Sequence, residues 1–318
     1  MIDFSKENYE AGAMEKVFRL LDLLSEIDRH PVLLKNVCLY GGTAINLFLL
    51  DAPRLSIDAD IAYIGSADKL IAEKERPAIE SAIKDVGSFL GYNVTATKGM
   101  VAGRTFRLRY MGNRGGDFIK IDANFLNRQP LLPPVRSRCK LDDSVHVRTF
   151  SKDELIAGKT KALFDRVAPR DIYDISQLYG IINKLIDPKD DTAKQKLRRI
   201  IIFYAALSNL FPTEFSGLTE KRFAGREQQI RDELYPVLRI NNRPGLDDLI
   251  RVAEAFVSEY VTPKDKMEKE YLEHFAKGEY KPELLFGDWP DILLAAQNSP
   301  SAKWKLLNLN KRDMKDQA

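Results

Sequence analysis

Apolar positions at Val17, Leu20, Leu21, Leu24 and Ile27 recur at helical spacing and predict a helix over residues 11–29. Val37-Cys38-Leu39-Tyr40 reads as a short buried strand. Gly41-Gly42 breaks it, and Thr43 is placed to cap a helix reaching Leu50. From 54 to 63 the pattern changes to period two. Leu55, Ile57, Ala59, Ile61 and Tyr63 alternate with Ser56, Asp58, Asp60 and Ala62, which predicts a strand with Ser56, Asp58 and Asp60 on one face. A helix over 67–90 should end near Gly91. Strands are expected at 93–98, 105–110 and 117–125, with 113–116 as a longer hairpin loop between the last two. In the last strand Ile119, Ile121 and Ala123 take one face, and Lys120, Asp122 and Asn124 the other.

Pro130, Pro133 and Pro134 interrupt the pattern, and a first domain is assigned to residues 1–150. Ser151-Lys-Asp-Glu154 is a capping box opening a helix to about Arg166, followed by another over 170–182. The remaining chain is helix-compatible, with breaks at Pro188, Pro212, Pro244, Pro263, Pro282 and Pro300. The expected organisation is an N-terminal α/β domain followed by a helical domain over 151–318.

Composition narrows the chemistry. The 318 residues are 44% hydrophobic and 30% charged, which is globular rather than disordered. Two cysteines outside any CxxC pair and three histidines exclude a disulfide framework and a structural zinc site. The acidic start (Asp3, Glu7, Glu10, Glu15) lacks the apolar run of a signal peptide, and the longest apolar runs are too short to span a bilayer. A cytoplasmic protein with no membrane partner is expected. The net charge of +3 names no partner by itself. Its distribution is more telling: residues 98–148 hold eleven Lys or Arg against four Asp or Glu, a net of +7.

Gly41-Gly42-Thr43 lies between a strand and a helix, where backbone can approach a phosphate closely. Asp58 and Asp60, two residues apart on one strand face, repel each other unless a cation sits between them. Mg²⁺ takes oxygen ligands and bridges carboxylates to substrate phosphates. Asp122 supplies a third carboxylate on an otherwise apolar strand, the minimum for a two-metal phosphoryl-transfer site. In the helical part Lys159 is mid-helix, and Asp171 and Asp174 share a helix face where either could orient it. Taken alone, that trio reads as a surface ion-pair network.

Four motifs now stand in order: Gly41-Gly42-Thr43-Ala44, Arg54-x-Ser56-x-Asp58-x-Asp60, Lys159-x-x-Ala162-Leu163 and Arg170-Asp171-x-x-Asp174. Together they resemble the AbiEii/AbiGii-type toxins, nucleotidyltransferases related in fold to DNA polymerase β, a broad group that includes the MenT toxins. The resemblance spans residues 39–178. It implies an α+β fold, with a mixed sheet in a polymerase-β-like domain followed by an all-helical domain. It implies a nucleotidyltransferase that moves NMP from an NTP to an acceptor with release of pyrophosphate. Asp58, Asp60 and Asp122 would ligate Mg²⁺, as two ions. Gly41, Gly42, Thr43, Ser56 and Lys159 would meet the nucleotide. Lys159 with Asp174 or Asp171 would complete the site from the helical domain. The implied acceptor is RNA, in relatives often the 3′ end of tRNA, so that translation is blocked. The implied setting is a type IV-like toxin–antitoxin or abortive-infection system, with an antitoxin carrying a DNA-binding domain and a monomeric toxin.

An RNA acceptor agrees with the basic stretch, where Arg104, Arg107, Arg109, Arg136, Arg138 and Lys140 are candidate phosphate contacts. Arg107 and Arg109 share a strand face. Lys194, Lys196, Arg198 and Arg199 form a second basic cluster, and the tail over 303–315 a third. Two alternatives remain: transfer to a small molecule or protein, and an NTP-binding module without transfer activity.

Overall fold

The computed structural model describes Tyr9 and residues 11–212 and 215–316. Asp3, Glu7 and Glu10 lie outside the described residues, as do the side chains of 310–316 in the basic tail. The chain divides into two compact units. One comprises the described residues of Met1–Ser151 with Tyr235–Arg243, the other those of Lys152–Leu234 with Pro244–Ala318.

The first unit begins with α1 (Ala11–Arg29) and α2 (Pro31–Asn36), then β1 (Val37–Tyr40) and a short α3 (Gly41–Ala44) that widens into a π turn over Ile45–Leu49. β2 (Asp58–Tyr63), α4 (Lys69–Phe89), β3 (Asn93–Ala96), β4 (Gly103–Gly112), β5 (Gly115–Asn124), β6 (Val135–Arg138) and β7 (His146–Thr149) complete it. The seven strands form one mixed sheet in the order β3-β4-β5-β2-β1-β7-β6. β2 runs parallel to β5 and β1 parallel to β7, while the other pairs are antiparallel.

One sheet face is built for burial. Phe106, Leu108, Ile119 and Ile121 are wholly buried, as are Leu20 and Leu23 of α1 and Ile83 of α4. α4 closes on this face tightly enough that a Cβ at Gly87 would lie 2.6 Å from Val94 and 3.2 Å from Leu108. Asp68 starts α4 by accepting the Ile71 N–H at 2.9 Å.

Several local expectations shift. Residues 54–57 are not strand: Leu55 N–H bonds to Val237 O at 2.8 Å and Arg54 bridges Leu238, tying the segment to Tyr235–Arg243. The hairpin is tighter than expected, because β4 and β5 continue in register to Gly112 and Gly115, leaving only Asn113 and Arg114 as the turn. Gly115 supplies the positive φ of 108° there. β6 and β7, which sequence periodicity missed after the proline-rich stretch, extend the sheet beyond β1.

The second unit is helical, opening with α5 (Lys152–Asp165), α6 (Pro169–Leu185) and α7 (Asp191–Ala206), and continuing with shorter helices such as Leu246–Phe256 and Lys266–Ala276. Pro169 begins α6, where its missing N–H costs nothing. Asp190 caps α7 by accepting the Ala193 N–H at 2.8 Å. Ile156, Ile172, Ile175, Leu178, Ile200 and Ile201 form its buried centre. The architecture is α+β. Among the described residues no helix is long and apolar enough to cross a membrane.

Candidate active site

The backbone turns from β1 into α3 at Gly41, whose φ is +71°. A Cβ there would collide with the Asp60 carboxylate, so both the conformation and the space demand glycine. A Cβ at Gly42 would lie 2.7 Å from Arg54 Nη2. The helix already starts at Gly41, so Thr43 is not its cap. Thr43 is instead fully buried, with its hydroxyl 2.8 Å from Ser56 Oγ and donating to the Asp58 carbonyl. This cross-link holds the turn against the start of β2. Arg54, also buried, donates from Nη1 to the Leu55 carbonyl at 3.0 Å.

Strand register assembles the acids. Tyr40 pairs with Asp60 on one side of β2, and on the other side Asp60 stands opposite Asp122 and Asp58 opposite Lys120. Directly paired residues point to the same face, so Asp58, Asp60, Lys120 and Asp122 lie together on strands roughly 4.8 Å apart. Thr105 of β4 stands opposite Asp122 on its far side and donates to Oδ1 at 2.6 Å. Lys120 Nζ is 2.8 Å from Asp122 Oδ2. Burial pulls the Lys120 ammonium down, but its hydrogen bond to Asp122 and the charges of Asp122, Asp58 and Asp60 outweigh this and hold it above the usual lysine value.

Among the described residues no three His, Cys, Asp or Glu side chains are grouped as a ready metal cage. The reason is visible at Asp122, which is turned toward Thr105 and Lys120. The donor chemistry nevertheless fits a hard divalent cation: the side chains are carboxylates, they share one face by register, and an ammonium already stands against one of them. Sequence reasoning quoted Arg54 and Lys120 without giving them roles and passed over Thr105. The signal was present for Lys120, which is two residues before Asp122 on the same face.

In the helical unit, Lys159 of α5 is not part of a surface network. It is buried, with Nζ 3.0 Å from Asp171 Oδ1 and 2.7 Å from Asp174 Oδ2. Both acids therefore hold the lysine, and neither is exposed. Arg166 adds a forked contact to Asp171, Nε to Oδ2 at 2.6 Å and Nη2 to Oδ1 at 3.1 Å. Burial raises the Asp171 carboxyl, but Lys159 and Arg166 more than reverse this and hold it below the usual range.

The structure also sorts the basic candidates. Arg104 is paired with Glu80 at 2.5 Å, Arg136 with Asp28 at 2.6 Å, Arg138 with Asp143 at 3.5 Å and Lys140 with Asp51 at 3.9 Å. Arg198 pairs with Glu268 at 2.8 Å, and Arg199 sits 3.4 Å from Asp265, so these two arginines tie α7 to the start of the Lys266–Ala276 helix, while Lys194 lies 3.8 Å from Asp191 of its own helix. Arg107 and Arg109 remain exposed on β4.

A glycine turn leading from strand to helix stands beside paired aspartates on a mixed sheet, an arrangement suited to nucleotidyl transfer. The chain belongs to the AbiEii family of nucleotidyl transferase toxins of type IV toxin–antitoxin systems, whose family model matches residues 22–257. Among solved structures it is similar to the nucleotidyltransferase toxin MenT4 of Mycobacterium tuberculosis, with 14% identity, a TM-score of 0.56, and coverage of 90% of this chain and 92% of that one. It is also similar to JHP933 of Helicobacter pylori, at 14% identity and a TM-score of 0.49, covering 85% and 97%. No curated protein matches the sequence.

Proposed function

We propose that this nucleotidyltransferase moves a nucleoside monophosphate from an NTP to a hydroxyl of RNA, the 3′ end of tRNA being the acceptor, and so blocks translation. The observation that carries this reading is the register that sets Asp58, Asp60 and Asp122 on one face beside the Gly41 turn. Asp58, Asp60 and Asp122 would hold Mg²⁺, as two ions. When bound, Mg²⁺ stabilises charge developing on the transferred phosphoryl group and favours ionisation of the attacking hydroxyl.

The chain's own groups do the rest. Gly41 and Gly42 let the Asp60 carboxylate and the Arg54 guanidinium stand directly against the turn, whose backbone would meet the triphosphate. Thr43 and Ser56 keep that turn in place through their mutual hydrogen bond. Thr105 and Lys120 hold the Asp122 carboxylate in one orientation. Within the helical unit, Lys159 is held by Asp171 and Asp174 as a buried ion cluster. As a toxin component, the protein would be paired with an antitoxin carrying a DNA-binding domain.

Purified protein incubated with each α-³²P-NTP, Mg²⁺ and total RNA is expected to label RNA, with Asp58→Ala removing the signal. Sequencing the 3′ ends of labelled species identifies donor and acceptor. Absence of label in RNA from every NTP would refute the reading.

A further inference from the structure

The sheet face bearing the carboxylates is not closed over β3, β4 and β5. The buried face of these strands carries Phe106, Leu108, Ile119 and Ile121, and α4 packs there. The opposite face carries Thr105, Arg107, Arg109 and Met111 from β4, and Phe118, Lys120 and Asp122 from β5. Met111 is 78% exposed and Phe118 is 38% exposed. Register aligns the rows: Asp122 beside Thr105, Lys120 beside Arg107, Phe118 beside Arg109. Moving from Asp122 to Phe118 covers four residues of β5, about 13 Å at 3.3 Å per residue.

Asp58, Asp60 and Asp122 share this face, and Lys120 is paired with Asp122, but Arg107 and Arg109 of β4 stand apart from those acids. Four of the six candidate cations of the basic segment are engaged by carboxylates. Among the described residues, Arg107 and Arg109 have no acidic partner. Arg107 lies 5.7 Å from the centre of the Phe118 ring, and Lys16 lies 5.0 Å from it. The ring thus holds one guanidinium against the sheet while its exposed part faces solvent. Exposed aromatics and arginines on an open sheet suit splayed single-stranded RNA. Bases stack on aromatic or guanidinium planes, and phosphates take the charge. A duplex presents its bases already stacked and gains nothing from the ring.

We propose that the open face of β4 and β5, through Arg107, Arg109 and Phe118, binds the single-stranded end of the RNA acceptor and leads its terminal hydroxyl toward Asp122. This rests on the RNA-transfer reading above and adds the surface and the strandedness of the acceptor to it.

The test is fluorescence anisotropy with a labelled RNA stem bearing a single-stranded 3′ end, set against the same stem made blunt. Wild-type protein is expected to favour the overhang. The Arg107→Gln, Arg109→Gln double variant is expected to bind it at least tenfold more weakly, and Phe118→Ala severalfold. NTP binding should be unchanged in both. The dependence of log affinity on log salt should fall in slope by about 1.4 for two lost phosphate contacts to a single strand. Arg136→Gln, which removes a cation already paired with Asp28, should bind as wild type.

Equal binding of overhang and blunt stem would overturn the proposal. So would wild-type affinity in the double variant, or loss of antitoxin binding there with RNA binding intact. If the double variant labels RNA as well as wild type, this surface fails and the transfer reading stands. If arginine-dependent binding is seen but no RNA is ever labelled, the surface stands and the transfer reading fails.

Discussion

Lys120 and Asp122 lie two residues apart on the same face of β5, their charged atoms 2.8 Å apart. The lysine is therefore the cation that the carboxylate face already owns. Asp58 and Asp60 also raise its affinity for the proton. A divalent ion seeking Asp122 must compete with this ammonium. Lys120→Met should tighten Mn²⁺ binding severalfold in the absence of nucleotide, as read by calorimetric titration. Weaker binding would instead make the lysine part of the metal's support.

Asp58, Asp60 and Asp122 are expected to be needed together. Changing any one to Asn should lower the labelling rate by about a thousandfold, since metal-borne charge stabilisation is worth several kcal/mol and each 1.36 kcal/mol is a factor of ten. Circular dichroism should be unchanged, because Asp58, Asp60 and Asp122 are all partly exposed and their loss opens no cavity.

Gly41→Ala should hurt twice. A φ of +71° costs an L-residue roughly 1–2 kcal/mol, and the new methyl meets the Asp60 carboxylate. A fall of several degrees in melting temperature should accompany loss of labelling. A variant with native stability and native rate would show that the turn can relax.

Asp171→Asn tests the helical unit. Breaking a buried pair costs about 3–5 kcal/mol because it leaves cationic partners uncompensated. The sign with pH follows from the lowered carboxyl of folded Asp171. Its contribution is fully present above the ordinary carboxylate value of 3.8 and is lost as pH falls through the lower folded value. Urea melts should show wild type losing stability below about pH 4, and Asp171→Asn losing less over that range. Parallel curves would assign the acid sensitivity elsewhere.

Much of this was legible from residue order because it depends on local rules. Period two placed Asp58 and Asp60 on one face, and the Gly-Gly pair marked the strand-to-helix turn. Helical spacing found α1, α4 and α6 to within a few residues. The misses have physical causes as well. Residues 54–57 alternate like a strand, but their backbone groups find partners at Val237 and Leu238, some 180 residues away in sequence. β6 and β7 are four residues each, too short for periodicity to stand out from the prolines nearby. Thr43 has the chemistry of a helix cap, and a hydroxyl partner from Ser56 took it elsewhere.

The same division runs through the candidate site. Sequence alone determined which residue types were available: three strand carboxylates, a glycine turn, one mid-helix lysine with two acids, and an excess of arginine. Those follow from side-chain chemistry and from the two periods of the backbone. Only the tertiary structure decided their partners. Parallel pairing of β2 with β5 put Asp60 opposite Asp122, and burial turned Lys159, Asp171 and Asp174 from a solvated surface network into a buried ion cluster. It also neutralised Arg104 and Arg136 while leaving Arg107 and Arg109 without acidic partners among the described residues. Pairing across strands and helices depends on distance in space, which local sequence spacing does not encode.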